Sequence, residues 1–341
     1  MNEIIRNPFD QGGYSLAELT AAINVLPNVY TRLGQMGLFR PEYVSQRSII
    51  VQMVKGLLNV LPTVPLGGPA TVANPEQQSM RSFILPWIPH DDAIFPADIQ
   101  GKPGRDGYYS VETLDAIMLR KLTRMRQKHA ITREFMEVNA LRGIVRDGNG
   151  VTLYNYFTEF GLTQISVDFL LGTAGTIVQG KARSVLGQME DELQGETMTV
   201  AHALVSPEFF DKLISHAKVE EAYKFYAASE GNPLREDLRR RFPFAGILFE
   251  EYRGTVTLAN GTVERLIPAG EGVVFPVGTI DTFVTYFGPM NTVEGANQPG
   301  EEIFARQLGR RDDSAVDLKT ESSPLPINKR PRLVVRLFSS N

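Results

Sequence analysis

The sequence predicts an α+β protein with a protruding β-hairpin and a long helix. Two extended runs, 47–62 and 81–95, flank a tip that begins with several prolines and glycines. One helical pattern continues from about 110 to 143, and shorter strands and helices alternate between 162 and 280. Because 341 residues are more than one hydrophobic core usually absorbs, we expect more than one domain.

Composition excludes several classes of protein before any motif is considered. The absence of cysteine rules out disulfides, thiolate metal sites and cysteine nucleophiles, and four histidines leave few groups for acid–base chemistry. The formal net charge of −4 is that of a chain not built as a whole to coat nucleic acid. No run approaches the ~18 apolar residues of a membrane-spanning helix, and the first residues lack the pattern of a secretory signal. We therefore expect no membrane partner.

Residues 1–44 are predicted to form an arm that carries one short helix. Ser15 and Glu18 fit a capping box at the start of the helical pattern, and Leu19 and Ile23 supply an apolar edge. Such a segment buries little surface by itself, so we expect it to lie on another surface.

Residues 45–109 are predicted to form the protruding hairpin. The outgoing run 47–62 is rich in aliphatic and β-branched residues. The return run 81–95 contains Pro86 and Pro89, which lack the ladder N–H and therefore favour an edge strand. Apolar side chains on a protruding element need cover, so the predicted inter-subunit contacts are Leu57, Leu58, Val60, Ile84, Leu85 and Trp87.

The glycines at the base of this hairpin predict a hinge. The segment GKPGRDG (101–107) lacks the GKS or GKT sequence of a phosphate-binding loop, and a turn or linker explains it better. Glycine absorbs large backbone changes, which makes Gly101, Gly104 and Gly107 hinge candidates.

Residues 110–165 are predicted to contain the long helix and a following hairpin. The helix begins at Ser110 and spans roughly 50 Å at ~1.5 Å per residue. DGNG (147–150) forms a tight turn after it. The apolar stripe of the helix consists of Leu114, Met118, Leu122, Met125, His129, Thr132, Met136 and Ala140.

Two explanations remain open for the basic residues of this helix. Six cations occur between 120 and 133 without an acidic residue among them. They are either a solvated flank that pairs with acidic segments such as 190–192 or 220–221, or a face close to nucleic acid. The contact candidates among them are Arg120, Lys121, Arg124 and Lys128.

Residues 166–280 are predicted to form a separate α/β unit, and 281–341 to return to the part with the long helix. Helical patterns occupy 181–194 and 207–228, the second with Ser206 as N-cap and Pro207 at the first helical position. A hairpin is expected around Asn260 and Gly261. The final strand, within 331–338, is predicted to dock onto the part with the long helix.

His90, Asp91 and Asp92 form the one histidine–carboxylate cluster of the sequence. Adjacent residues of a strand point to opposite faces, so a single run does not build a chelate. We therefore predict no catalytic residue, no metal site and no cofactor. A metal-dependent hydrolase using these three residues is kept as a remote alternative.

In several segments along nearly the whole chain, the sequence resembles the phage major capsid protein E family, the lambda-type branch of capsid proteins with the Hong Kong 97 fold. The segments are LTAAINVLPNVYTRLGQMGLF (19–39), SIIVQMVKGLLNVLPTVPLGGP (48–69), FILPWIPHDDAIFPADIQG (83–101), TREFMEVNALRG (132–143), DGNGVTLYNYFTEFGL (147–162), FGPMNTVEGANQPGEEIFARQ (287–307) and SSPLPINKRPRLV (322–334). Their order and spacing carry the resemblance more than any single motif.

This resemblance implies an architecture for each predicted segment. The arm would lie over an adjacent subunit, and the hairpin would be the extended loop (E-loop) that reaches onto a neighbour. Residues 110–165 and 281–341 would form the peripheral domain with its spine helix. Residues 166–280 would form the axial domain, which meets its copies in pentamers and hexamers.

The implied function is assembly. The chain would be the major capsid (head) protein of a tailed double-stranded DNA phage, self-assembling in the host cytoplasm into a precursor shell (procapsid) that matures into the icosahedral shell of the virion. Implied partners are further copies of the chain, portal, scaffold and decoration proteins, and packaged double-stranded DNA through weak non-specific contact. The alternatives are a decoration or tail-tube protein and an encapsulin-like compartment shell.

Overall fold

The computed structural model describes residues 16–25, 31–55, 77–99, 114–193, 196–227, 239, 241–293, 295, 297–309 and 314–341. They belong to two compact units. The first unit draws on Met1–Ile49, Phe83–Glu134 and Thr285–Pro326. The second draws on Ile50–Ser82, Phe135–Val284 and Ile327–Asn341.

The chain mixes helices and strands throughout, as the α+β prediction requires. Up to residue 160 the elements are α1 (Leu16–Val25), α2 (Arg32–Met36), β1 (Arg40–Tyr43), β2 (Ser48–Lys55), β3 (Gln77–Ile84), β4 (Ile88–Ile94), α3 (Pro96–Ile99), α4 (Leu114–Leu141), β5 (Ile144–Arg146), β6 (Thr152–Asn155) and α5 (Tyr156–Phe160). Beyond it they are β7 (Ser166–Asp168), α6 (Val178–Leu193), β8 (Val200–Val205), α7 (Pro207–Ser215), α8 (Ala217–Ala227), β9 (Phe242–Phe244), β10 (Ile247–Glu251), β11 (Thr255–Thr257), β12 (Val263–Arg265), β13 (Glu271–Val277), β14 (Phe283–Phe287), β15 (Phe304–Gly309), β16 (Val316–Ser322), β17 (Pro324–Asn328), a 3₁₀ helix (Pro331–Leu333) and β18 (Val335–Phe338). Within the described residues, no helix has both the length and the hydropathy needed to cross a membrane.

The first unit contains an antiparallel sheet with the order β15-β16-β4. Strand β4 lies at the edge of this sheet, which confirms the position predicted from Pro86 and Pro89. The predicted stripe of α4 is confirmed from Met118 to Met125, since Met118, Leu122 and Met125 are buried, whereas every side chain from 134 to 141 is buried. Met118, Leu122 and Met125 share a core with Leu19, Ile23, Ile94, Ile117, Ile303, Ala305 and Leu318.

Helix α1 packs on its own chain, within the first unit. Leu19 and Ile23 are buried in the core just described. The Thr20 hydroxyl accepts the N–H of Ala305 at 3.2 Å, and the Asn24 amide donates to the carbonyl of Ile303 at 3.1 Å. Helix α1 therefore meets hydrogen-bonding groups of the edge strand β15 and of the residue before it.

Helix α2 is capped by a side chain from α4 rather than by its own N-cap residue. The side chain of Thr31, at the N-cap, forms no capping hydrogen bond. The buried Glu134 carboxylate instead accepts the N–H groups of Arg32 at 2.9 Å and Leu33 at 3.0 Å. A carboxylate at these N–H groups satisfies donors that the first turn of a helix leaves open.

The second unit contains a six-stranded sheet with the order β7-β18-β13-β8-β10-β9. Strands β8 and β10 are parallel, as are β7 and β18, and the other pairs are antiparallel. Residues Ala201, Ala203 and Val205 of β8 belong to one buried cluster with residues of α6 and α7. On the other side of β8, His202 Nε2 lies 3.1 Å from Glu250 Oε2, and both side chains are buried.

The last strand differs from the sequence prediction. Strand β18 pairs with β13 and β7 inside the six-stranded sheet, rather than with elements of the first unit. Its alternating buried residues Val335 and Leu337 belong to the core of that sheet. Since the strand can satisfy its apolar face in any sheet, sequence alone did not distinguish the two positions.

Short-range signals in the second unit are confirmed. The hairpins β5–β6 and β11–β12 form around the two predicted turns. Ser206 Oγ accepts the N–H of Phe209 at 3.2 Å, and Pro207 begins α7. The predicted helix 207–228 is divided at His216, whose ring accepts the N–H of Lys218 and contacts the carbonyl of Thr173. These contacts end α7 and begin α8.

Candidate interaction surfaces

The hairpin strands β2 and β3 pair in a two-stranded sheet, and their side chains alternate between exposed and buried at residues 48–51 and 82–84. Ile49, Val51 and Phe83 are buried, whereas Ile50 and Ile84 are 70% and 66% exposed. An aliphatic side chain exposed to this degree on a two-stranded ribbon offers apolar surface to a partner. Ile50 was not among the residues predicted from sequence, although its position between Ile49 and Val51 places its side chain on the opposite face of the strand.

The base of the hairpin is tied to the loop after β14 through Trp87. The Trp87 indole N–H donates to Glu321 at 2.9 Å, and the other oxygen of the same carboxylate accepts the N–H of Asn291 at 2.6 Å. The Trp87 side chain remains 46% exposed. Glu321 and Asn291 carry no local sequence signal for this contact, because they lie more than two hundred residues from Trp87 along the chain.

The predicted contact residues of the hairpin divide into three groups. Ile84 and Trp87 are exposed, as a contact surface requires. Leu85 is 6% exposed, so the structure differs from the prediction there: neighbouring residues of an extended chain face opposite sides, and Leu85 takes the buried side. The remaining predicted contacts and the hinge candidates lie outside the described residues, namely Leu57, Leu58, Val60, Gly101, Gly104 and Gly107.

The basic side chains of α4 separate into two sets. Lys121 donates to Asp92 at 3.0 Å and to the carbonyl of Ala93 at 2.7 Å, and Arg133 pairs with Glu302 at 3.1 Å. Arg126 donates to the carbonyl of Ile23. Arg120, Arg124 and Lys128 are exposed, and Lys128 Nζ also lies 3.1 Å from His90 Nε2. Of the four predicted contact residues on this helix, Lys121 is thus engaged within the chain.

Each residue of the histidine–carboxylate cluster of β4 contacts a lysine. Asp92 accepts from Lys121, and Asp91 Oδ2 lies 3.6 Å from Lys319 Nζ. His90 Nε2 lies 3.1 Å from Lys128 Nζ. Burial first, and then the charge of Lys128, lowers the pKa of His90 below its ordinary value. The imidazole is thus neutral beside an ammonium group, and lysines hold both carboxylates. We interpret these contacts as structural.

The described residues contain no group of three or more histidine, aspartate or glutamate side chains placed to hold a metal ion. A small cavity of about 20 Å³ lies beside α4, lined by Arg126, His129, Arg133 and Glu302 among others. This volume admits about one water molecule, whereas substrate pockets measure hundreds of cubic ångströms. The surfaces that stand out are therefore the hairpin and the exposed face of α4.

Solved capsid structures share this architecture. The chain aligns with one in the capsid structure of cyanophage P-SCSP1u at a TM-score of 0.52 and 12% identity, over 93% of this chain and 91% of that one. It aligns with one in the mature capsid of bacteriophage PhiM1 at a TM-score of 0.50 and 14% identity, over 92% and 88%. The fold is that of Hong Kong 97-type phage capsid proteins.

The chain belongs to the phage major capsid protein E family, whose profile matches residues 15–339. The major capsid protein of Pseudomonas phage KPP10 is 35% identical to it, over 96% of this chain and 98% of that protein. The major capsid protein of Salmonella phage Felix O1 is 26% identical, over 96% of both. The resemblance seen in the sequence is confirmed.

Proposed function

We infer that the chain is a phage major capsid protein and that its function is to assemble with copies of itself into the shell of the head. The observation that carries this inference is the continuous similarity to two major capsid proteins over 96% of the chain. We propose further that the shell is icosahedral, is built from pentamers and hexamers, and encloses the double-stranded DNA of a tailed phage.

The hairpin is the element that we propose reaches a neighbouring subunit. Ile50 and Ile84 are exposed in the isolated chain, and burying an aliphatic side chain of this size stabilises an interface by roughly 1.5–3 kcal/mol. Each subunit would repeat this contact with its neighbour, so the shell gains it once per copy. Catalysis has no part in this function, which rests on burial of surface between subunits.

Assembly is tested by expressing the full chain alone and examining it by electron microscopy and light scattering. Closed shells, curved sheets or capsomer-sized rings are expected. A protein that stays monomeric at every concentration would contradict self-assembly.

A matched pair of variants tests the hairpin contact. Ile84→Asp places a charge on the proposed interface, whereas Val263→Asp places it on another hairpin, β11–β12, at a side chain that is also 66% exposed. A second pair, Ile50→Asp and Ile177→Asp, has exposures of 70% and 71%. We expect the hairpin variants to keep their circular dichroism spectra and lose assembly, and the controls to assemble. Equal assembly by all four would contradict the proposed hairpin contact.

A further inference from the structure

Arg126 of α4 is a partly buried cation without an acidic partner. Its Nη1 donates to the carbonyl of Ile23 in α1, and it forms no ion pair within the part of the chain that the structure describes. Its Nε–H is buried and has no hydrogen-bond acceptor there. Burial lowers the pKa of Arg126 from its ordinary value, but a guanidinium stays protonated at neutral pH. Because a buried charge without a counter-charge is costly, an anion beside Arg126 would stabilise the fold.

The charged neighbours of Arg126 do not balance its charge. The carboxylate of Glu302 attracts it, and the guanidinium of Arg133 repels it. Glu302 already pairs with Arg133, at 3.1 Å between Oε2 and Nη1. Two guanidinium groups and one carboxylate therefore leave one positive charge in excess.

The small cavity beside α4 adjoins this excess charge. Arg126, Arg133 and Glu302 all line it, and its volume of about 20 Å³ is enough for about one water molecule. His129 lines it as well and adds no charge at neutral pH, because burial lowers its pKa to about 4. Every lining residue belongs to the first unit. The cavity thus offers positive surroundings to one small guest.

We propose that this cavity binds one small monovalent anion, such as chloride, as the counter-ion of Arg126. The anion accepts the buried Nε–H and balances the excess charge. A water molecule in the same place would accept the same proton and leave the charge unbalanced. An organic anion such as gluconate is too large for a cavity of this volume.

Occupancy of the site stabilises the docking of α1. Arg126 holds α1 through its hydrogen bond to Ile23, and the anion fixes the position of the same guanidinium group. We therefore expect chloride to stabilise the folded subunit and to protect residues 16–25 from proteolysis. All groups of the site belong to one chain, so this inference goes beyond the shell function and does not depend on it.

The anion dependence of the full-length, unassembled subunit tests the proposal. Urea unfolding would be measured in sodium chloride and in sodium gluconate at equal ionic strength, at a protein concentration where light scattering detects no particles. An anion that binds only the folded chain raises the ratio of folded to unfolded protein, about 11-fold at ten times its Kd. We expect this rise in the chloride series and not in the gluconate series. Cleavage at residues 16–25 should be several-fold slower in chloride.

Three variants locate the site. Arg126→Gln removes the charge and the Nε–H, so its urea midpoint should be the same in both salts. Arg124→Gln is the matched control, because it removes the same charge from an exposed position of the same helix, and it should keep the wild-type response to chloride. Ala130→Val adds two methyl groups at the wall of the cavity and leaves both guanidinium groups in place. It should also lose the response, which provides the test where Arg126→Gln does not fold.

Four outcomes would overturn the proposal. The first is equal stability of the wild type in chloride and gluconate, as expected for a cavity that holds only water. The second is a chloride response that survives in Arg126→Gln, or in Ala130→Val where the first variant does not fold. The third is a response that Arg124→Gln loses as well, which would indicate a general effect of charge. The fourth is equal cleavage at residues 16–25 in both salts. All are measured on the unassembled subunit, so failure of assembly is distinguishable from failure of this site.

Discussion

His129 is a titratable side chain enclosed between α4 and the sheet of the first unit. It is 6% exposed, and its Nε2 lies 2.9 Å from the hydroxyl of Thr320. The ring of His90 lies 6.2 Å away, centroid to centroid, and Lys128 adjoins His90. Burial first, and then the charge of His90, lowers the pKa of His129 from its ordinary 6.5 to about 4.

This shift makes the stability of the unassembled subunit depend on pH. The unfolded chain binds a proton at His129 below about pH 6.5, whereas the folded chain resists it until about pH 4. The contribution is therefore fully present above pH 6.5 and is lost as the pH falls towards 4. The expected loss is about 3 kcal/mol, and the midpoint of urea unfolding measured from about pH 8 to about pH 4 checks it.

The variant His129→Gln serves as the control, because an amide can still reach the hydroxyl of Thr320 and does not titrate. Carboxylates whose pKa is lowered in the folded chain also make the protein less stable in acid. Glu208, which accepts a hydrogen bond from Arg265, is one of them. Such groups are present in both proteins, so the difference between the two pH profiles isolates His129. Profiles that fall in parallel would show that this histidine does not account for the acid sensitivity.

The pairing of α1 with β15 joins distant parts of the chain within the first unit. An edge strand presents unpaired N–H and C=O groups on which another chain can add a strand. Helix α1 covers this edge through Thr20, which bonds to Ala305 of β15, and Asn24, which bonds to Ile303 just before it. Leu19 and Ile23 anchor the helix by burial.

Ile23→Asp is expected to release α1, because it places a charge at a side chain that is 0% exposed. Limited proteolysis should then cleave the chain near residues 16–25 at least several times faster than in the wild type. The neighbouring variant Ala22→Asp, at an exposed position of the same helix, should leave the cleavage rate unchanged. Equal rates for both variants would contradict the anchoring role of Ile23.

Local signals predicted individual helices, strands and turns well. They did not predict which distant strands pair. The caps and turns at Ser206, Pro207 and the two hairpins are set by residues within a few positions of one another, so the sequence identified them. Strand β18 could satisfy the same pattern in either unit, and its neighbours β7 and β13 are remote in sequence. The return run of the hairpin divides into β3 and β4 around Pro86, each paired with a different strand.

The sequence predicted which segments carry the candidate surfaces, but not which of their side chains are covered or paired. Local signals do not contain that information. Alternation along a strand assigns Ile84 and Leu85 to opposite sides but does not say which side is covered. The cations of α4 were visible in sequence, whereas their division depended on Asp92 and Glu302, which come from other elements. Partners contributed by remote segments were the missing information.

Assembly should change the apparent stability of the whole molecule. Any partner that binds the folded chain and not the unfolded chain stabilises it by mass action. Covering the exposed hairpin side chains in a shell should therefore raise the Tm of assembled particles above that of the unassembled subunit. Each kcal/mol gained corresponds to about 2–4 °C for a domain of about 150–250 residues.

Calorimetry at several protein concentrations checks this expectation. The Tm of the wild type should rise with concentration over the range in which particles form. The Tm of Ile84→Asp should stay at the value of the unassembled subunit. A wild-type Tm independent of both concentration and assembly would show that subunit contacts contribute little to stability.

The tie between Trp87 and Glu321 has a practical consequence. The sequence contains one tryptophan, so indole fluorescence excited at long wavelength reports a single place, the base of the hairpin. Its side chain is half-exposed in the isolated subunit, and cover by a neighbour would shift its emission to shorter wavelength. The extent to which hairpins engage during growth of the shell can thus be followed in real time, without a label.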